Sequence, residues 1–465
     1  DVVQAITNKR KEVFKMNEEI ANELESKDAG NPLHQELIDS IRNIPHIVTT
    51  AWHEEFPDAV TTYCPKANFY DTPELRAHYD DQKEKWWYTC VEPHIPFPTY
   101  HTEDILSSAR LMGWMQSNYD IVGNLFWSSN LYGHSTAGGY APIDDYYTGN
   151  TARYAGCNGD GYLFFPGNQY GYDGPLPSLR LQAIRDGNEE YEVLYNLKEK
   201  AKSLGLDDKA IFPLLTNSLY DGTKIVGNSA LVEQARRSVG ELTEATNNGS
   251  DFVVSKCDLD KANSSVSMEF YAKSGSTISI NGEALTPTSS YRAGNLYSYT
   301  NKINKDSNDY QITVSYEGKV NTVNVHLCGK VISYGPNELK DSFVKYNCSV
   351  STSIETIGDE QLLKLSIGKA KEQKQSIKFN APFIKDMNSN VQGFTINVYN
   401  PEETPLLFSI GGRNNGNNYD NYYLENYSLK PGMNTIYIPT IYMKLKDTSN
   451  IGYFFMVFGN SSSKN

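Results

Sequence analysis

Long apolar runs are missing from this sequence. None approaches the roughly 20 residues that a membrane-spanning helix needs, and with apolar residues at 39% of 465 positions the chain reads as soluble, with no transmembrane segment. The opening stretch DVVQAITNKRKEVFKMNEE turns charged early and has no apolar signal core, so a mature or cut N-terminus is expected. Basic residues are in the minority: 42 Lys and Arg against 56 Asp and Glu give a formal net charge of -14. An acidic surface supplies no counter-charge to a phosphate backbone or an anionic bilayer, which argues against nucleic acid and membranes as partners. Cysteine is sparse. Cys64, Cys90, Cys157, Cys257, Cys328 and Cys348 form no CxxC pair and have no His at zinc-finger spacing, so no metal and no other cofactor is expected. Cys257 and Cys328 fall near the two ends of one predicted module, where either a bridge or two buried thiols would fit. No phosphate-binding glycine loop and no Ser-His-Asp or Cys-His arrangement stands out.

Tyrosine is abundant. There are 33, with 5 Trp, and rings with a polar tip suit ligands that are part apolar and part hydroxylated, as sugars are. All five Trp and seven of the eight His precede residue 135, whereas the chain beyond about residue 250 is rich in Ser, Asn, Thr and Val with period-2 alternation. The two halves are therefore chemically different.

In the first half, Val13, Met16, Ile20 and Leu24 recur at helical spacing and predict a helix over 8–26, with another over 32–43. Short buried strands follow at HIVTTA and VTTYC, then a helix opening at Thr72-Pro73 with a cap residue and a first-position Pro. WWYTCV, a helix over 102–119 and VGNLFW continue a strand-helix alternation that predicts a parallel, barrel-like sheet. A loop of about thirty residues after Trp127 lacks periodicity and reads as functional or disordered. GYLFF predicts another strand, and helices are expected over 178–201, 209–220 and 230–244. Only four or five strands can be found where a closed barrel needs eight. Two readings follow: the C-terminal portion of a longer (β/α)8 barrel, which is preferred, or an open α/β sheet. Beyond ATNNGSDF the alternating strands, with hairpin signals at Asn281-Gly282 and Glu317-Gly318, predict two β-sandwiches. The predicted fold class is thus multidomain α/β plus all-β: a partial barrel domain over 1–247, a small Ig-like sandwich over 248–331 and a second sandwich over 332–465.

Barrel sites lie at the C-terminal ends of the strands. This makes Trp86, Trp87, Tyr88, Glu92, His94, Trp127, Asn130 and Tyr132 the candidate sugar-binding residues, with alternation turning only half of the aromatics inward. Glu92 is the best-placed lone carboxylate and the weak catalytic candidate. Glu54-Glu55 and Asp144-Asp145 read first as solvated turns, and Glu189-Glu190 as helix ion pairs with Arg185 or lysines. Tyr419, Tyr422, Tyr423 and Tyr427 with Arg413 form a cluster read either as a strand-connecting loop or as a glycan-binding patch. NNGS, NSSV, NCSV and NYSL fit the N-glycosylation pattern.

WWYTCVEPHIPFPTY, RLMGW, GNLFWSSNLY, GDGYLFFPG and GPLPSLRLQAIRDGNEEYEVLYNL resemble successive blocks of the family-123 glycoside hydrolases, over about Ile44 to Leu197. The resemblance implies a (β/α)8 catalytic domain and a β-N-acetylgalactosaminidase that is secreted or at the cell surface. It further implies substrate assistance, in which the 2-acetamido oxygen attacks the anomeric carbon while an adjacent Asp-Glu pair orients it and supplies the proton. The pair would precede the first predicted helix, and it maps onto no residue of this chain. It is expected on an upstream, N-terminal fragment of the same polypeptide. Arg180, Arg185 and Asp186 match the last block, while Gln182 stands where a Glu is common. Arg180 is expected as a substrate-side contact or, preferably, as a buried salt-bridged latch beneath the site. A GalNAc-containing glycan is the expected partner. The competing expectations are a glycosidase with two enzyme carboxylates and a non-catalytic glycan-binding protein.

Overall fold

The computed structural model describes residues 2–27, 37, 47–54, 61–136, 139–142, 153–154, 157–260, 265–303, 308–328, 334–358, 360–368, 375–380, 393–414, 422–439 and 451–458. The predicted helix over 32–43, apart from residue 37, lies outside these residues, as do Glu55, Asp144, Asp145 and Tyr419. The side chains of Arg413, Tyr422 and Tyr423 lie outside them as well. The chain divides into two compact units, Asp1–Tyr195 with Gly222–Lys224, and Asn196–Asp221 with Ile225–Asn465. No described helix is long and apolar enough to cross a membrane.

The first unit opens with helix α1, Val2–Lys27. Its buried positions include Asn17 and Ala21, while Met16 and Ile20 are 52% and 43% exposed. The expected apolar stripe is therefore not the face this helix buries. Strands β1 (Ile47–Val48) and β2 (Thr62–Tyr63) pair in parallel, and a parallel bridge from Lys66 to Tyr88 carries the pairing on to β3 (Lys85–Thr89). β3 in turn pairs in parallel with β4 (Ile121–Phe126). Four strands thus lie side by side in chain order. The crossovers carry α2 (Pro73–Ala77), started by Thr72 accepting from the Leu75 amide at 3.3 Å, and α3 (Leu106–Tyr119).

Among the described residues these strands do not close into a barrel. The expected fifth strand is corrected: only Phe164–Pro166 is extended, and it pairs antiparallel with Pro175–Pro177 in a hairpin. The positive φ of Gly159 and Gly161, 84° at each, breaks the run before it. Short antiparallel pairs, Gly133–Thr136 with Gly139–Pro142 and Arg153–Tyr154 with Cys157–Asn158, stand where the sequence showed no periodicity.

A helix over Leu179–Leu204, called α4 here, crosses α3 with backbone in contact. A Cβ on Gly113 would lie 2.3 Å from the Gly187 carbonyl oxygen, and one on Gly187 would lie 2.4 Å from that of Arg110. Beside this crossing Glu190 is buried, paired to Arg110 and accepting from Trp114 Nε1 at 2.6 Å. Glu189 meets Arg185 at 3.6 Å, as expected of it, whereas the expectation for Glu190 is corrected: its ion pair is with Arg110 across the helix interface, not with Arg185 or a lysine.

In the second unit, helix Ser229–Asn247 is capped by Asn228. It docks on strand Lys319–Cys328, where Glu241 accepts from the Asn324 amide at 2.6 Å. That strand belongs to one of two four-stranded antiparallel sheets that span Val253–Cys328. Tyr299 of one sheet meets Tyr310 of the other edge to face at 5.9 Å. The Asn281-Gly282 and Glu317-Gly318 turns take positive φ at both residues (51° and 84°, 49° and 79°), as their sequences predict. Further on, a five-stranded antiparallel sheet contains Gln375–Phe379, Leu406–Asn414 and Ile451–Phe458. A two-stranded pair, Gly393–Asn400 with Gly432–Pro439, contacts it through Phe394 and Phe454, 5.2 Å apart. The tyrosine cluster read as a loop in fact contains a strand, Tyr422–Leu429. All six cysteines are free thiols, Cys257 and Cys328 among them.

Candidate active site

Because β1 to β4 run parallel, their C-terminal ends gather along one edge, and the residues that follow them form one rim. Strand register decides which candidates reach it. Trp87 pairs with Asn124, and Trp86 with Gly123, so these two indoles occupy opposite faces. Asn124 donates to Met112 Sδ of α3 at 3.4 Å, which marks the Trp87 face as the helix side. Trp87 is fully buried there, with Tyr70 edge-on at 5.8 Å. It is core, and the expectation that it lines a sugar site is corrected.

Trp86 lies on the other face, but two residues short of Tyr88, or about 6–7 Å back from the rim at the strand rise. Its Nε1–H donates to Glu84 at 3.2 Å, toward the strand's N-terminal end. Its ring covers Gly123, where any Cβ would come within 2.0 Å. Of the three aromatics on β3, only Tyr88 is both on the open face and near the rim. Its hydroxyl pKa is raised, chiefly by burial, so it is a neutral donor.

Beyond β3, Glu92 is exposed and ion-paired to Lys66, which follows β2. The Lys66 hydrogen bond and charge hold the Glu92 carboxyl below its ordinary value. Glu92 is thus ionised at neutral pH, whereas a general acid must carry its proton there. His94 is exposed, its ring 5.8 Å from that of His101. His101 is buried and donates from Nε2 to the Cys90 carbonyl at 2.7 Å, and burial lowers its pKa. It anchors the turn that presents Glu92 and His94.

Beyond β4, residues 129–131 pair with 159–163 through Leu131 N to Gly161 O at 2.9 Å and Leu163 N to Ser129 O at 2.7 Å. Asn130 is exposed on this ladder, bridged to Tyr162. Tyr132 packs half-buried on Tyr162. Trp127, the first residue past β4, is 43% exposed and donates from Nε1 to Asp160 Oδ2 at 2.9 Å. Asp160 itself is 2% exposed. Its other oxygen is buried and makes no hydrogen bond, and burial pushes its carboxyl up to about 6.

The Gly-Asp-Gly sequence around Asp160 has a steric cause. Beyond their positive φ, a Cβ on Gly159 would meet Arg180 Nη1 at 2.5 Å, and one on Gly161 would meet Trp127 Cζ2 at 2.5 Å. Arg180 locks this loop from the start of α4. It is 7% exposed and donates to the carbonyls of Tyr100, Gly159 (2.8 Å) and Tyr162 (2.7 Å). The latch is real but made of carbonyls, which corrects the salt bridge expected of it, and so placed Arg180 supports the rim from beneath.

The rim therefore brings together Tyr88, Glu92, His94, Trp127 and Asn130, with Lys66 and Asp160 added. Sequence reasoning passed over both additions. The two glycines flanking Asp160 were the available signal, since paired glycines around an acid mark a backbone turned sharply to place it. Among the described residues no group of His, Cys, Asp or Glu is set to hold a metal.

A parallel sheet whose rim carries a half-exposed indole, a neutral phenol and an ionised carboxylate is the setting in which pyranosides are bound and cleaved. The protein is a glycoside hydrolase. Residues 5–197 match "Glycoside hydrolase 123, catalytic domain", so over that stretch the chain is similar to the catalytic domain of glycoside hydrolase family 123. No curated protein matches the chain.

Proposed function

We propose that this protein releases terminal β-linked N-acetylgalactosamine from extracellular or cell-surface glycans with retention of configuration, using the substrate's own acetamido group as nucleophile. The catalytic-domain match over residues 5–197 carries this reading. The Lys66–Glu92 pair bears on the mechanism: a carboxyl held ionised by a lysine is a poor proton donor, which weighs against a pair of enzyme carboxylates with Glu92 as the acid. An internal nucleophile removes the need for an enzyme carboxylate on the opposite face of the sugar. Glu92 and His94 then bind sugar hydroxyls, Trp127 and Tyr88 meet the ring, and the orienting Asp and proton-donating Glu come from polypeptide preceding Asp1. In the same reading residues 1–247 are the C-terminal part of a (β/α)8 domain. Residues 248–331 and 332–465 are two β-sandwich modules, the second one carbohydrate-binding.

The test compares 4-nitrophenyl N-acetyl-β-galactosaminide with the plain β-galactoside, using both this chain and a longer polypeptide that includes the preceding segment. The longer form is expected to turn over only the N-acetylated substrate. Equal turnover of the plain galactoside would reject substrate assistance.

A further inference from the structure

A lysine on a strand often guards a sheet edge against pairing with another chain. Lys378 has no such task. Its strand, Gln375–Phe379, lies inside the five-stranded sheet, paired on one side with Phe343–Lys345 and on the other with Ile451–Phe458. The register fixes its face. Ile377 and Phe379 stand opposite Met456 and Phe454, and these four are buried on the side where Phe454 meets Phe394. Lys378 falls between Ile377 and Phe379, so it takes the other face, with Val344 and Phe455 as its cross-strand partners. Tyr453 shares that face two residues before Phe455, and Arg413 stands opposite Tyr453 in the register.

The Lys378 ammonium lies 4.1 Å from the ring centre of Tyr453 and 5.7 Å from that of Tyr346. Among the described residues it makes no ion pair and no hydrogen bond. Val344 and Tyr346 beside it are exposed. Rings attract a cation without neutralising it, and at a half-exposed site that attraction adds little to stability. In a chain with 56 acidic against 42 basic residues, a carboxylate partner would be the commoner arrangement, as Lys364 has in Glu355. Acids farther off than about 8–10 Å are screened and leave the local charge in place. The result is a positive charge held at one position on a sheet face, beside apolar surface from Val344 and the lysine stem. An acidic sugar has the matching features: an anionic substituent on a ring with apolar C–H groups.

We propose that this face of the second sandwich module binds an acidic glycan, with Lys378 pairing the sulfate or carboxylate of one sugar residue. This deepens the reading of residues 332–465 as carbohydrate-binding and rests on it.

The test is calorimetric titration of the full chain with three hexasaccharides: chondroitin 6-sulfate, which carries sulfate and carboxylate, unsulfated chondroitin, which carries carboxylate alone, and chitohexaose, which is uncharged. At least one acidic probe is expected to bind about ten-fold more tightly than chitohexaose, and less tightly as salt is added. Preference for the sulfated form assigns the sulfate, and equal binding of the two acidic forms assigns the carboxylate. Lys378→Met keeps the apolar stem and removes the charge. It should weaken the acidic probe about ten-fold, as expected for a lost charge-assisted hydrogen bond, and change chitohexaose binding by less than about two-fold. Tyr453→Leu keeps the ammonium but not the ring that holds it, and should weaken the acidic probe several-fold.

Parent-like binding of the acidic probes by Lys378→Met would overturn the proposal and leave the carbohydrate-binding reading intact. So would chitohexaose bound as tightly as both acidic probes, or inorganic sulfate bound as tightly as the sulfated hexasaccharide. A parent chain that binds none of the three hexasaccharides would overturn both the proposal and the reading beneath it. A loss of fold in Lys378→Met would show in the far-ultraviolet spectrum, and Lys378→Gln then carries the comparison with the same expected outcomes.

Discussion

Arg180 shows how much of this site depends on one planar fork. Its guanidinium reaches the carbonyls of Tyr100, Gly159 and Tyr162 at once, and a lysine cannot span that geometry with one ammonium group. Arg180→Lys leaves at least one buried carbonyl unmet and should cost about 2–3 kcal/mol, read as a lower urea midpoint with an unchanged slope. Glu92 behaves oppositely. Its side chain is 60% exposed in the pair with Lys66, so screening leaves the pair worth no more than about 0.5 kcal/mol. Glu92→Gln should therefore keep the midpoint and weaken sugar binding several-fold, which a calorimetric titration would detect. A complete loss of hydrolysis by the longer polypeptide, with binding intact, would instead make Glu92 the acid. The sequence made Glu92 and Trp127 visible because both directly follow a strand. It signalled Asp160 only through the two flanking glycines, because the partner of that carboxyl is an indole 33 positions away. It also could not choose between Trp86 and Trp87, because alternation gives the period of a strand but not its phase.

At the scale of elements, α3 and α4 cross with backbone against backbone at Gly113 and Gly187. An alanine at position 113 gains about 1 kcal/mol of helix propensity over glycine. Against this, its Cβ would stand 2.3 Å from a backbone oxygen of the other helix, and backbone cannot rotate aside as a side chain would. The helices must separate, which also pulls at the buried Arg110–Glu190–Trp114 contacts. Gly113→Ala and Gly187→Ala are each expected to destabilise by about 2–3 kcal/mol net, checked by chemical denaturation. A stabilised variant would mean that the helices do not meet here. Long elements were legible: α4 was expected over 178–201 and spans Leu179–Leu204, because its apolar period repeats over many turns. The Asn-Gly and Glu-Gly hairpins were legible because their turn chemistry is local. Strands such as Val350–Ile357 and Gln375–Phe379 went unread, since Ser, Thr, Lys and Glu in them weaken the apolar alternation; the first is fixed by its hairpin partner Glu360–Ile367 and the second by pairing with distant strands.

For the whole molecule, acidity sets the expected response to pH. Two buried carboxyls, Asp104 and Asp160, are each pushed up to about 6 by burial, against 3.8 for the ordinary group. Between those values the folded chain holds more protons than the unfolded chain. Stability from these two groups is therefore fully present below pH 3.8, falls as pH rises toward 6, and is level above it. For each group the difference amounts to about 3 kcal/mol at neutral pH. Self-repulsion at a formal net charge of -14 acts in the same direction, easing as acids take up protons. Glu92, with its lowered pKa, acts the other way, favouring the fold above the ordinary carboxylate range, but its exposure keeps that contribution small. Asparagine at position 104 or 160 removes the titrating proton while keeping an oxygen for the Thr99 hydroxyl or the Trp127 indole. Each variant should show a flatter decline in urea-unfolding free energy between pH 4.5 and 6.5 than the parent, flattest of all in the double variant. A parent slope that both substitutions leave unchanged would mean that these carboxyls are ionised and solvated throughout, and that the loop beneath Trp127 is open to water.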